Sequence, residues 1–217
     1  MLKPTRRSGW PGGRSARSQT GFSLIELMVT LTILGFLLVA TLPSIGSWMR
    51  NTEIRNAAES ISNGLAKARS EAVRRNQTVL FSLVSPNSLY PGVLDSSCAL
   101  SATSASWVVS LTNPAGQCGA TVSDTATPQI LAKYAQGDGA SRVSVAIKAA
   151  DCTTAATAQR VGFNGMGRIN TDSDLRCILI SHSVTGSSRP LRLVLNNGGN
   201  ARMCDPAVTD NNDPRKC

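Results

Sequence analysis

Apolar and polar positions divide this 217-residue chain into three stretches of different texture. From Leu27 to Met49 no residue is charged. At a rise of ~1.5 Å per residue, a helix over this run is about long enough to cross a bilayer core. From about Asn51 to Asn76 the apolar positions Ile54, Ala57, Ala58, Ile61, Leu65, Ala68 and Ala72 recur every three or four residues. That spacing predicts an amphipathic helix whose stripe packs against a globular domain. The opposite face carries Arg50, Glu53, Arg55, Glu59, Lys67, Arg69, Glu71, Arg74 and Arg75, and reads as a solvated surface.

After Gln77 the period shortens. Residues 78–84, 107–111, 143–147, 177–181 and 191–195 have strand composition and partial alternation. Asn164–Gly167 and Asn196–Asn200 read as turns, the second closing a hairpin onto Ala201–Cys204. The Ser/Thr/Ala/Gly-rich interval 96–127 reads as loops with room for one strand pair. The expected fold class is α+β: a long N-terminal helix, half membrane segment and half amphipathic, laid on an antiparallel sheet domain of about 140 residues, an ordinary size for one core.

Charge sets the topology. Upstream of Gly21 stand Lys3, Arg6, Arg7, Arg14 and Arg17 with no acid, a cytoplasmic flank by the positive-inside rule. Everything after Arg50 then points outward. The net charge of +9 invites a nucleic-acid reading, but five of those charges lie before Gly21. Residues 22–76 hold six basic and four acidic residues, and 77–217 hold eleven and nine, so each part is only +2. The basic pI is mostly a topology signal.

Glu26, at the start of the apolar run, is the residue that most needs a reason, because a carboxylate near the end of a lipid-spanning helix costs a few kcal/mol. A secretory signal peptide would be cut at a small-x-small site, and only Ser44-Ile-Gly46 offers one. A plain single-span anchor leaves both Glu26 and the boundary Gly21 without a role. If the chain were cut before Phe22, the new ammonium and Glu26, four residues apart, would share a helix face and could pair within or between chains. Pro43 lacks an amide hydrogen and is expected to kink or melt the helix.

The run Gly21-Phe22-Ser-Leu-Ile-Glu26 behind a basic leader, with Pro43 in the span, resembles the class III signal of type IV pilins and pseudopilins. The resemblance implies that a prepilin peptidase removes residues 1–21 and methylates the amine of Phe22. Residues 22–49 would stay as a single inner-membrane span, with 50–76 as amphipathic helix and 77–217 as a periplasmic domain. It further implies that Glu26 recruits the subunit to a filament. A closer resemblance, to the GspH/FimT/FimU group of minor pilins and pseudopilins, is carried by Ile54–Phe81 with Ala68-Arg-Ser-Glu-Ala72, by Gly162–Arg168, and by Gly198–Pro206 with Cys217. It implies partners among minor and major pilins or pseudopilins and a place at the tip of a pilus or pseudopilus, where the subunit primes assembly. The cysteine-bracketed ending looks more like the pilus members.

All six cysteines, Cys98, Cys118, Cys152, Cys177, Cys204 and Cys217, fall in the exported part, where an even count implies disulfides. Six allow 15 pairings, and spacing alone does not choose. The local closures Cys98–Cys118, Cys152–Cys177 and Cys204–Cys217 are favoured because each would restrict the unfolded chain. With no close CxxC pair and one histidine, no metal or other cofactor is expected.

Some FimT relatives bind DNA through a C-terminal Gly-Arg-x-Arg motif. Gly199, Asn200, Ala201 and Arg202 match it with one arginine missing. Arg189, Arg192 and Arg202, with Arg215 and Lys216, are the candidate phosphate contacts, opposed by Asp205, Asp210 and Asp213. An enzyme would have to use His182, between Ser181 and Ser183 and near Asp172 and Asp174 in sequence. No nucleophile elbow, phosphate loop or paired-carboxylate pattern accompanies it, so catalysis is not expected.

Overall fold

A computed structural model describes residues 21–137, 139–184 and 188–217, with the backbone alone at 40–44. The leader 1–20 lies outside the described residues. The chain divides into two compact units, Met1–Leu42 and Pro43–Cys217. The first is represented by the start of α1, the α-helix Leu24–Arg75. Its large apolar side chains from Phe22 to Val39 are exposed on every side. Among the described residues no helix is long and apolar enough to cross a membrane, and the apolar run itself passes through 40–44. The backbone stays helical through Pro43, so the expected melting does not occur. A proline removes one bond from the ladder, and a helix of 52 residues keeps the bonds on either side.

In the second unit, α1 buries the stripe read from the sequence: Ile54, Ala57, Ala58, Ile61, Leu65, Ala68 and Ala72. The helix stops at Asn76, whose φ of 50° places it in the left-handed region. Gln77 N donates to Ala72 O and Asn76 N to Val73 O, each at 3.3 Å, the bond pair of a Schellman cap with asparagine in the glycine position.

Among the described residues eight strands follow: β1 Val79–Leu83, β2 Trp107–Ser110, β3 Ile130–Tyr134, β4 Val143–Lys148, β5 Arg160–Phe163, β6 Cys177–His182, β7 Leu191–Leu195 and β8 Ala201–Cys204. They form not one sheet but two, ordered β3-β2-β1-β5 and β4-β6-β7-β8, and every pairing is antiparallel. The α1 stripe and residues of both sheets form one core. A satellite cluster of Val84, Leu94, Cys98, Val108, Cys118, Ile130 and Ala135 gathers around β1–β3. This is why β2 is buried along its whole length while β4 alternates buried and half-buried. Interval 96–127 holds β2 and loops, with no strand pair of its own among the described residues.

Gly64 marks where α1 comes closest to the first sheet. A Cβ there would lie 2.8 Å from both Phe81 Cε2 and Trp107 Cε2. Trp107 Nε1 donates to Ser60 Oγ one turn earlier, at 3.0 Å, so the indole is packed and satisfied together.

Candidate functional site: the helix start and the motif cluster

At the start of α1, Ser23 acts as N-cap. Its Oγ accepts from Glu26 N at 3.2 Å, and its carbonyl accepts from Leu27 N at 3.1 Å. Ser23 and Glu26 thus occupy the first and fourth positions of an S-x-x-E capping signature. That signal was present in the sequence but overshadowed by the apolar run. The Glu26 carboxylate sits exposed in the first turn, where the helix macrodipole favours an anion. Gly21 and Phe22 precede the helix, and Phe22 is 85% exposed. The hydroxyls of Thr30 and Thr32 turn back onto the carbonyls of Leu27 and Met28, which hides them from an apolar surrounding.

The far end of α1 gathers three segments that are distant in sequence. Arg69 Nε donates to Gly167 O at 3.1 Å, and Nη1 donates to Asn200 Oδ1 at 2.6 Å. The Asn164–Gly167 and Asn196–Asn200 turns are thereby fastened to the helix by one guanidinium. They also touch each other: Gly199 has φ of 79°, and a Cβ there would come within 2.1 Å of Gly167 O. Ala68–Ala72, Gly162–Arg168 and Gly198–Arg202, which stand out as separate motifs in the sequence, are parts of a single structural joint.

The charged face of α1 is not wholly solvated as expected. Glu71 is only 7% exposed and is held by Arg74 at 2.5 Å, Arg75 at 3.0 Å and Lys67 at 3.0 Å. The hydrogen bond from Arg74, with those from Arg75 and Lys67, lowers its pKa from 4.5 to about 2 against the opposing effect of burial. Spacing of three and four residues placed these cations in reach. The burial of the acid depended on where the sheets pack.

His182 does not meet the carboxylates nearest to it in sequence. Asp174 accepts from Thr157 and Ala158. The imidazole is nearly fully buried, with Nε2 3.3 Å from Glu53 Oε2 on α1, a contact too poorly directed to be a hydrogen bond, and Nδ1 accepting from Val184 N at 3.1 Å. Among the described residues no Ser-His-Asp arrangement results.

Disulfides join Cys98 to Cys118, Cys152 to Cys177 and Cys204 to Cys217. The last closes a 13-residue separation and brings the C-terminus back beside β8, where Asp205 N donates to Arg215 O at 2.7 Å. No group of metal-binding side chains occurs among the described residues. The candidate phosphate contacts are divided. Opposite pairing of Arg192 with Cys204 and of Val194 with Arg202 puts Arg192 and Arg202 on the face of β7–β8 turned away from Leu193 and the core. Arg189 lies beside α1 instead, its backbone N donating to Asn51 Oδ1 at 2.8 Å. Arg202 is tied to Lys216 O, and Arg215 to Asp213.

A family profile described as type II transport protein GspH matches residues 57–199, two thirds of the chain. The chain belongs to the GspH family. The prokaryotic N-terminal methylation motif matches residues 16–42, which include Gly21, Phe22 and Glu26. Together they make the chain a structural subunit of the minor pilin and pseudopilin class. Two crystal structures of the type IV minor pilin FimU from Pseudomonas aeruginosa (strain PAO1), in space groups P21 and P65, align with TM-scores of 0.45 and 0.42. Identities are 14% and 12%; the alignments cover 73% and 72% of this chain and 96% and 99% of those chains. No curated protein matches the chain.

Proposed function

We propose that this GspH-family chain is a minor pilin that primes assembly of a type IV pilus and sits at its tip. A prepilin peptidase removes residues 1–21 and methylates Phe22. Residues 22–49 hold the subunit in the inner membrane by a single span until it joins other minor and major pilins, with residues 77–217 in the periplasm. The observation that carries this reading is the first part of α1. Its apolar side chains are exposed on every side with one carboxylate in the first turn, so the segment needs lipid or neighbouring helices to cover it. Between neighbours, Glu26 is the group that an N-terminal ammonium of another subunit would meet. Head-to-tail contacts of this kind generate a filament when their rotation does not close.

A second reading, a GspH-type pseudopilin of type II secretion, is favoured by the profile match, whose description names that system. The disulfide-closed ending at Cys204–Cys217 supports the pilus reading. A deletion strain separates the two. Loss of twitching and surface pili with secretion intact supports the pilus reading; loss of secretion with pili intact replaces it. If both persist unaltered, the assembly role itself fails.

A further inference from the structure

Where α1 enters the second unit, Trp48, Asn51, Thr52 and Arg55 recur at three- and four-residue steps and form one wall of a groove of about 430 Å³. Leu191 and Met203 line it from the second sheet, with Arg189 and Arg215 at its side. The volume is within the usual range for a small-ligand site. Asn51 fixes the groove's shape by accepting from Arg189 N. Among the described residues the guanidinium groups of Arg55 and Arg189 have no partner, while Arg215 is committed to Asp213 at 2.6 Å. The acid in the groove, Asp205, is buried, and its carboxylate accepts from Ala207 N. Two exposed, uncommitted cations therefore stand over an apolar wall.

We infer that this groove binds the headgroup of an anionic phospholipid, the phosphate between Arg55 and Arg189 and the upper acyl chain along Trp48, Leu191 and Met203. Two observations select lipid as the occupant. The groove begins at Trp48, 68% exposed, directly where the apolar run of α1 ends and beside the exposed Ile45 and Met49. A tryptophan at that point is the usual marker of a membrane interface. Its lining also couples an apolar wall to unpaired arginines, which suit phosphate better than a neutral surface does. The inference rests on the single-span anchor proposed above.

The test uses the full-length chain reconstituted in vesicles of equal phosphatidylglycerol and phosphatidylcholine, with the lipids that stay bound on extraction counted by native mass spectrometry. Wild type is expected to retain phosphatidylglycerol preferentially. Each arginine near the surface contributes about fivefold, so Arg55→Gln with Arg189→Gln should lower the preference by at least tenfold. Arg168→Gln, in the turn after β5 beside the Gly167 that Arg69 holds, should leave it unchanged. Circular dichroism and melting of the double variant check that it remains folded. Insertion without phosphatidylglycerol preference, or a preference that the double variant keeps, overturns the inference and leaves the anchor standing. Failure to insert into these vesicles overturns the anchor and the inference together. Loss of filament incorporation with lipid preference intact assigns the groove to a neighbouring subunit and also overturns it.

Discussion

Ile33 and Ile61 lie on the same helix, yet Ile33 is 56% exposed and Ile61 is fully buried. Around Ile33 nearly every position is apolar, so no face is distinguished, and only lipid or other helices can cover the segment. Around Ile61 the apolar residues are confined to one stripe, and both sheets of the chain's own domain cover it. One helix is thus a self-satisfied core element in one part and an incomplete surface in the other. The difference lies in how apolar residues are arranged, not in how many there are.

This contrast breaks most visibly under truncation. Ile61→Ala should lower the stability of the domain by about 3–4 kcal/mol, read by thermal melting of the full chain in detergent, whereas Ile33→Ala should leave that transition in place. Equal effects would mean that the first part of α1 packs on the domain. Next comes the disulfide at the C-terminus. Cys204→Ser with Cys217→Ser should cost about 3 kcal/mol, given the short loop closed, and should release the Asp205–Arg215 backbone pairing as faster amide exchange at Asp205.

Glu71→Gln sharpens the contrast within the charged face and should cost about 2 kcal/mol, since it removes charge-assisted bonds to three cations. Because the folded pKa of Glu71 is about 2 against an ordinary 4.5, its contribution is fully present above pH 4.5 and is lost as pH falls toward 2. Wild type minus variant, followed by melting from pH 6 to pH 2.5, should shrink over that window; a constant difference would contradict the ion-pair account. The smallest effect belongs to Ser23→Ala, about 1 kcal/mol at the helix start. It should appear as faster exchange at Glu26 and Leu27 with no change in the domain.

Much of this fold was legible because its periods are strong. The stripe Ile54–Ala72 and the runs leading to β1, β2, β4, β6 and β7 follow spacings of 3.6 or 2. β3 and β5 were missed for different reasons. Ile130–Tyr134 carries Lys133 and lies behind a long polar loop, and Arg160–Phe163 is a four-residue strand containing a glycine. The division into two sheets depends on pairing between strands distant in sequence, which no local pattern encodes. At the candidate site, Gly21, Phe22 and Glu26 stand out because a charge beside an apolar run is conspicuous. The Arg69 joint was invisible, because its partners lie 98 and 131 residues away along the chain. His182 was read against the nearest aspartates in sequence, whereas it faces Glu53 on α1.

Glu26→Ala tests the central claim most directly, with Ser23→Ala as the control that removes the cap and keeps the carboxylate. The measurement is the amount of subunit recovered in sheared filaments, set against the cleaved, membrane-inserted pool. The account predicts normal cleavage and insertion for Glu26→Ala with no subunit in the filament, and incorporation of Ser23→Ala near the wild-type level. Incorporation of Glu26→Ala at the wild-type level would contradict it.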